Sequence, residues 1–186
     1  CGLITQLIDY HVSEDQYIYL HITRGVAKRD HAFPNNTPPT VFMMSNALLT
    51  PPEEFLQKGV SAITAKDNRW GRCDIKAISL LPNVLLRQLA IDAGATETIL
   101  LREGFLTEVA ASNIFVVKEN KLFAPPKSHL MLPGITYDVV LELVETHSLP
   151  YSVRPVVEQE LRSADEILLT SSTKEILPII SLDGKS

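Results

Sequence analysis

Cysteine is almost absent. Cys1 and Cys73 are the only two, too few for a disulfide framework, and they lack metal-ligand spacing, so no metal is expected. Positive charge is scarce as well: 17 Lys and Arg face 22 Asp and Glu, a net charge of −5. That balance gives no reason to expect nucleic acid or an anionic membrane surface as a partner. No apolar run approaches the roughly 18 residues of a membrane span. No charged-then-apolar leader with a cleavage site is seen, and cytoplasm is the expected location. The glycine-rich dinucleotide fingerprint is missing. So are internal repeats and low-complexity tracts.

What is present suits a globular protein: 45% hydrophobic and 21% charged residues. A length of 186 fits one large domain or two small ones. The ends read as cut. The chain starts on Cys1, and Asp183-Gly184 is a hairpin turn signal with no return strand after it.

Spacing and composition predict the elements in order. Leu3 to His11 is a short amphipathic helix. Tyr17 to Thr23 and Thr40 to Ser45 are strands, the second bracketed by prolines. Thr50-Pro51-Pro52 makes a linker, followed by a helical turn from Glu53 to Gln57 and a strand from Val60 to Thr64. The longest helix runs from Leu80 to Ala93, with Pro82 in its first turn and Gly94 as its stop. Strands follow at Thr98–Leu101, Ser112–Val117 and Lys121–Ala124, the last two joined by a tight Glu119-Asn120 turn. A helix from Thr136 to Thr146, a strand from Tyr151 to Arg154 and a short helix from Val157 to Arg162 come next. Ile167–Thr170 and Ile176–Ser181 close the series as strands. Without strict βαβ alternation, the class is α+β. Glu97, Glu103 and the Glu158–Glu160 pair read as solvated faces.

One lysine stands out. Lys76 sits among Ile75, Ala77, Ile78, Leu80 and Leu81, at the entrance to the longest helix. Burial lowers a lysine's pKa, because a desolvated ammonium is costly, and the neutral amine can attack a carbonyl. The plain alternative is a lysine that snorkels to water.

The words around Lys76 go further. Cys73-Asp74-Ile75-Lys76-x-x-x-Leu80-Leu81-x-Asn83-Val84 resembles the lysine segment of the fold-type IV pyridoxal-phosphate enzymes, and most of all the D-amino-acid transaminases. The resemblance runs from about Tyr17 to Lys185 with several motifs in the family's order. It implies a two-domain fold in which residues 1–49 are the remainder of an N-terminal α+β domain. Residues 50–186 would form the pyridoxal 5′-phosphate-binding domain, incomplete at its end. It implies that roughly the first quarter and the last few elements of a family member are missing, the phosphate-binding arginine among them.

The resemblance also implies roles. Lys76 would be the catalytic Schiff-base lysine and the base that moves the α-proton. Glu108, in Thr107-Glu108-x-x-x-x-Asn113-x-Phe115, would keep the pyridine nitrogen protonated, with Asn113 beside it. Alone, that run reads as a surface loop before a strand. Gly134-Ile135-Thr136 would hold the phosphate at a helix N-terminus, although Thr136 also reads as a plain N-cap. Ser172, in Ser171-Ser172-Thr173, would add a hydroxyl, or belong to a polar loop. Arg69 matches a family position near the cofactor face. Arg29-Asp30-His31 would clamp the substrate carboxylate across a homodimer interface, the arginine as a bidentate fork; as bare residues they read as a charged loop.

The implied activity is transfer of an amino group between an amino acid, of the D series, and a 2-oxo acid. Leu81 stands where branched-chain transaminases often carry tyrosine. Aminodeoxychorismate lyase on the same fold is the alternative, against which Arg29-x-His31 speaks; a non-catalytic scaffold is another. Departures from the family pattern are Ala124 for threonine, Tyr137 for a basic residue, and Ala110-Ala111 for serines.

Overall fold

The computed structural model describes residues 2–185. They divide into two compact units between Thr50 and Pro51. Cys1 lies outside the described residues.

In the first unit, α1 (Gly2–Asp9) precedes a two-stranded antiparallel ribbon of β1 (Gln16–Thr23) and β2 (Thr40–Ala47). The register is unbroken from Gln16↔Ala47 to Thr23↔Thr40. Aromatic and β-branched residues suit the pleat, and the Tyr19 ring meets His21 and Phe42 edge-on at 6.2 and 6.3 Å. The loop between the strands stacks the Arg24 guanidinium 3.9 Å above the Phe33 ring.

The second unit opens with α2 (Glu53–Lys58), β3 (Val60–Lys66), α3 (Leu81–Asp92), β4 (Glu97–Arg102), β5 (Phe105–Val109) and β6 (Asn113–Lys118). It continues with β7 (Lys121–Ala124), α4 (Ile135–Thr146), β8 (Tyr151–Val153), α5 (Glu158–Arg162), β9 (Glu166–Ser171) and β10 (Glu175–Leu182). Eight strands make one mixed sheet in the order β5-β4-β3-β10-β9-β6-β7-β8. Pairs β3–β4, β3–β10 and β7–β8 are parallel and the rest antiparallel.

That order forces the sheet to curl. β5 and β6 hold its first and sixth places, about 24 Å apart in a flat sheet. Only Ala110–Ser112 connect them, a reach of about 13 Å. The turn is closed by the Val109 amide, which donates to the Ser112 carbonyl at 2.9 Å. The seam where the curled sheet meets itself therefore lies at Glu108–Asn113.

Side chains alternate about this sheet. Ile99, Ile114, Val116 and Leu169 pack inside with Leu161 of α5. On the other face Phe115 stacks on Tyr137 of α4, with ring centroids 5.0 Å apart. Leu100 and Ala110 meet Leu86 of α3. Tyr137 and Ala124, two departures from the family pattern, are thus core residues; the Tyr137 hydroxyl donates to the Pro125 carbonyl at 2.8 Å, and burial pushes its pKa up to about 12.

Three expectations change. β5 was not expected: it is five residues long, and Thr107 and Glu108 in it are both buried because the strand lies at the seam. Glu97 is not on a solvated face. Its side chain is fully buried, 2.9 Å from Lys174 Nζ and 3.7 Å from Arg87 Nε. The stretch from Asp67 to Leu80, read as the entrance to the longest helix, is irregular. Elsewhere the turn signals hold: Glu119, Asn120, Asp183 and Gly184 all have positive φ, as a tight I′-type reversal requires. No helix among the described residues is long and apolar enough to cross a membrane.

Candidate active site

The second unit carries a cavity of about 570 Å³ at the seam, between the length of α3 and the first turn of α4. Five sequence-predicted residues line it: Lys76, Glu108, Asn113, Thr136 and Ser172. Each arrives from a different element. Lys76 comes from the irregular segment before α3, which the Cys73 amide fastens to the His129 carbonyl at 2.7 Å. Glu108 lies near the end of β5 and Asn113 begins β6. Thr136 lies in the first turn of α4, and Ser172 in the turn after β9.

Lys76 is exposed, not buried among its apolar neighbours, because Ile75, Ile78, Leu80 and Leu81 are themselves exposed. The apolar shell read around it from the sequence does not form within this chain.

Glu108 is held on three sides. Arg69 Nη1 donates to its Oε1; Asn113 Nδ2 and the Leu132 amide donate to Oε2 at 3.3 and 3.1 Å. A carboxylate can accept about four hydrogen bonds, so one position remains, on Oε1. Burial pushes the Glu108 carboxyl up, and the charge and hydrogen bond of Arg69 and the Leu132 N–H recover only part of that, so its pKa stays above the ordinary value.

Arg69 does not line the cavity. It lies behind Glu108, buried, with Nε and Nη2 donating to Asp67 at 2.9 Å each and Nη2 also to the Leu130 carbonyl at 3.0 Å. Burial pushes the Asp67 carboxyl up, but hydrogen bonds and charge from Arg69, with the charge of Arg102, outweigh it and hold the carboxyl below its usual range.

The other end of the cavity offers hydrogen-bond donors. Gly134 is the N-cap of α4 and no side chain caps its free N–H groups, so they point at open space with the positive end of the helix dipole. Thr136 is therefore not the plain N-cap. Ile135 does not line the cavity and its side chain is exposed; only its amide can serve there. Gly134 is required by packing: a Cβ there would lie 2.3 Å from Asn113 Oδ1. Ser112 Oγ and Thr170 Oγ1, both on lining residues, are buried with no hydrogen-bond partner. Buried polar atoms are nearly always paired, so these two hydroxyls are exceptions in the cavity wall.

Arg29 and His31 belong to the first unit, on an exposed loop. Asp30 Oδ1 shapes that loop by accepting from the His31 and Ala32 amides at 2.6 and 3.3 Å. Several contributors were not foreseen: Asp67, Arg87, Ser112, Leu132 and Thr170. Asn83, inside the lysine motif, had a signal; its Nδ2 donates to the Ala110 carbonyl at 2.8 Å and ties α3 to the seam turn. No cluster of three or more metal-ligating side chains occurs among the described residues.

Comparison with known proteins agrees with this layout. A family model for class IV amino-transferases matches residues 2–182. A D-alanine aminotransferase from Bacillus licheniformis is 42% identical over 183 residues, 98% of this chain and 64% of that protein. The chain thus spans less than two thirds of the length of that relative. Among solved structures, a 4-amino-4-deoxychorismate lyase from Pseudomonas aeruginosa is 28% identical with a TM-score of 0.80, covering 90% of this chain and 64% of the other. A branched-chain amino acid aminotransferase from Escherichia coli is 27% identical with a TM-score of 0.79, covering 91% and 58%. The match over almost the whole length, on a curled mixed sheet with the lysine and glutamate motifs at one cavity, identifies the chain as a member of the class IV aminotransferase family.

Proposed function

We propose that the complete protein is a pyridoxal-phosphate-dependent aminotransferase that moves an amino group between a D-amino acid and a 2-oxo acid. The observation that carries this reading is the cavity shared by Lys76, Glu108, Asn113, Thr136 and Ser172. The D series is supported by the name of the 42%-identical Bacillus licheniformis relative and by the Arg29-x-His31 spacing.

The residues present fit the cofactor. The free acceptor position on Glu108 Oε1 suits a protonated pyridine nitrogen. The amides of Ile135 and Thr136 and the hydroxyls of Thr136 and Ser172 suit a phosphate. Bound there, the cofactor supplies an electron sink for the charge left on the substrate's α-carbon.

The chain's residues do the rest. Lys76 Nζ would hold the cofactor and, once freed by the incoming amine, would take the α-proton from the substrate and deliver it to the cofactor's C4′ carbon. Glu108 holds the ring-nitrogen proton, and Arg69 keeps Glu108 in place. In a homodimer, Arg29 and His31 of one subunit bind the α-carboxylate in the other's site. Residues 1–49 are then the remainder of the N-terminal α+β domain and 50–186 the cofactor-binding domain. The same reading has the protein working in the cytoplasm, without a nucleic-acid or membrane partner.

The lyase reading keeps one point in its favour, the 28%-identical lyase structure. One titration separates the two. The complete, cofactor-loaded protein is titrated with D-alanine, then L-alanine, and its visible spectrum recorded. Loss of the cofactor's band with D-alanine alone, reversed by 2-oxoglutarate, is the expected result. No change with either enantiomer overturns the transaminase; pyruvate release from aminodeoxychorismate without an amino acceptor then establishes the lyase.

A further inference from the structure

We propose that Asp67 is a positioning residue that takes the Nε–Nη2 edge of the Arg69 guanidinium, leaving Glu108 a free acceptor and a charge only partly offset by Arg69 for the cofactor's ring nitrogen. The inference rests on the cofactor reading above.

Asp67 follows β3 directly, and its side chain is fully buried. It accepts from Arg69 three times: from the amide at 3.1 Å and from Nε and Nη2 at 2.9 Å each. Thr107 Oγ1 donates to it at 3.0 Å, and Arg102 Nη2 lies 3.1 Å away. The fork of Nε and Nη2 on one carboxylate fixes the guanidinium plane. Only Nη1 is left to reach Glu108. Without Asp67, Arg69 could turn its whole fork on Glu108, which would fill both carboxylate oxygens and close the ion pair away from the cavity.

The charges make the same point. Two carboxylates, Asp67 and Glu108, face two guanidinium groups, Arg69 and Arg102, and the cluster sums to zero. Asp67 offsets Arg69; Arg102 Nη2 lies against the same carboxylate, donating to the Arg69 carbonyl at 2.9 Å, and draws on its charge. The other titratable groups nearby are Lys76 and Arg87, on the cavity wall, the second paired with the buried Glu97, and the Cys73 thiol, which burial keeps neutral by pushing its pKa up. Removing the negative charge of Asp67 should loosen a proton held beside Glu108. Removing the positive charge of Arg102 should tighten it. Loss of packing alone has no reason to produce opposite signs.

The probe is pyridoxine 5′-phosphate, which has the ring and the phosphate but no aldehyde for Lys76. It is bound to the complete, cofactor-free protein, and its near-ultraviolet absorbance is followed with pH to titrate the ring nitrogen. Asp67→Asn is expected to lower the bound probe's proton affinity about tenfold. Arg102→Gln is expected to raise it several-fold. Opposite shifts support the inference; shifts of one sign, or none, overturn it. If circular dichroism shows Asp67→Asn unfolded, Arg102→Gln decides alone: a rise supports the inference, and no change or a fall overturns it. If the wild-type protein binds no probe, the cofactor reading fails and takes this inference with it, an outcome distinct from binding without a shift.

Discussion

Asp67 and Glu108 share one guanidinium yet are shifted in opposite directions. Asp67 takes most of Arg69 and keeps its charge; Glu108 takes one N–H and stays harder to ionise. The folded pKa of Asp67 is depressed, so its stabilisation is complete above the unfolded value of about 3.9. It is lost as pH falls through the lower folded value. The urea midpoint of the wild type should therefore drop as the pH falls below about 4, and Asp67→Asn should flatten that part of the curve while being less stable at neutral pH. A variant that keeps the acid drop would show that other groups cause it. Glu97 offers a second test. It is a buried carboxylate whose partners, Arg87 and Lys174, come from α3 and from the β9–β10 turn. Glu97→Ala removes the shared partner of two partly exposed cations, which can still reach water, and should cost about 1–3 kcal/mol in urea unfolding; a loss below about 1 kcal/mol would match an exposed pair instead. Neither role could be read from the sequence. Lys76 and Glu108 sit in recognisable words, whereas Asp67 and Glu97 acquire their meaning from residues far along the chain, Glu108 through the shared Arg69 for the one and Lys174 for the other.

The elements themselves were largely legible, because α3, α4 and most strands announce themselves by apolar period and by Pro82, Gly94 and the Glu119-Asn120 turn. β5 was not, since its five residues carry a buried threonine and a buried glutamate where a strand pattern needs apolar side chains. The strand order was out of reach for a different reason: pairs such as β3–β10 join the two ends of the unit, Val60 to Ile179. What the order creates is the seam, and the seam creates the cavity. Asn83 is the tether between α3 and that seam, through its bond to the Ala110 carbonyl. Asn83→Ala should cost about 1 kcal/mol of stability. Because Ala110 begins the turn between Glu108 and Asn113, it should also weaken cofactor binding in a titration. Lower stability with unchanged cofactor affinity would mean that the turn holds its shape without α3.

At the scale of the molecule, exposed apolar surface is the unmet demand of this chain. In the first unit, a two-stranded ribbon is marginal by itself, and it exposes Leu20, Ile22, Val41 and Phe42. In the second, α3 buries only Leu86 and Ala90. Leu81, Leu85 and Leu89 recur every fourth residue on one stripe and are 69, 56 and 48% exposed. A continuous apolar stripe on a helix is costly in water and marks a surface that something covers. In the homodimer proposed above, that cover is a second subunit. Leu81 and Leu85 neither line the cavity nor belong to the buried core, so changing them should leave the fold and the site intact. Leu81→Asp with Leu85→Asp puts two carboxylates into the stripe and should convert the complete protein from dimer to monomer in sedimentation velocity, with an unchanged circular dichroism spectrum. Amino transfer should fall with it, because the proposed shared site has Arg29 and His31 bind the substrate across the interface. A dimer that survives both substitutions at micromolar concentration would remove α3 from the interface. A fully active monomer would go further and overturn the shared site.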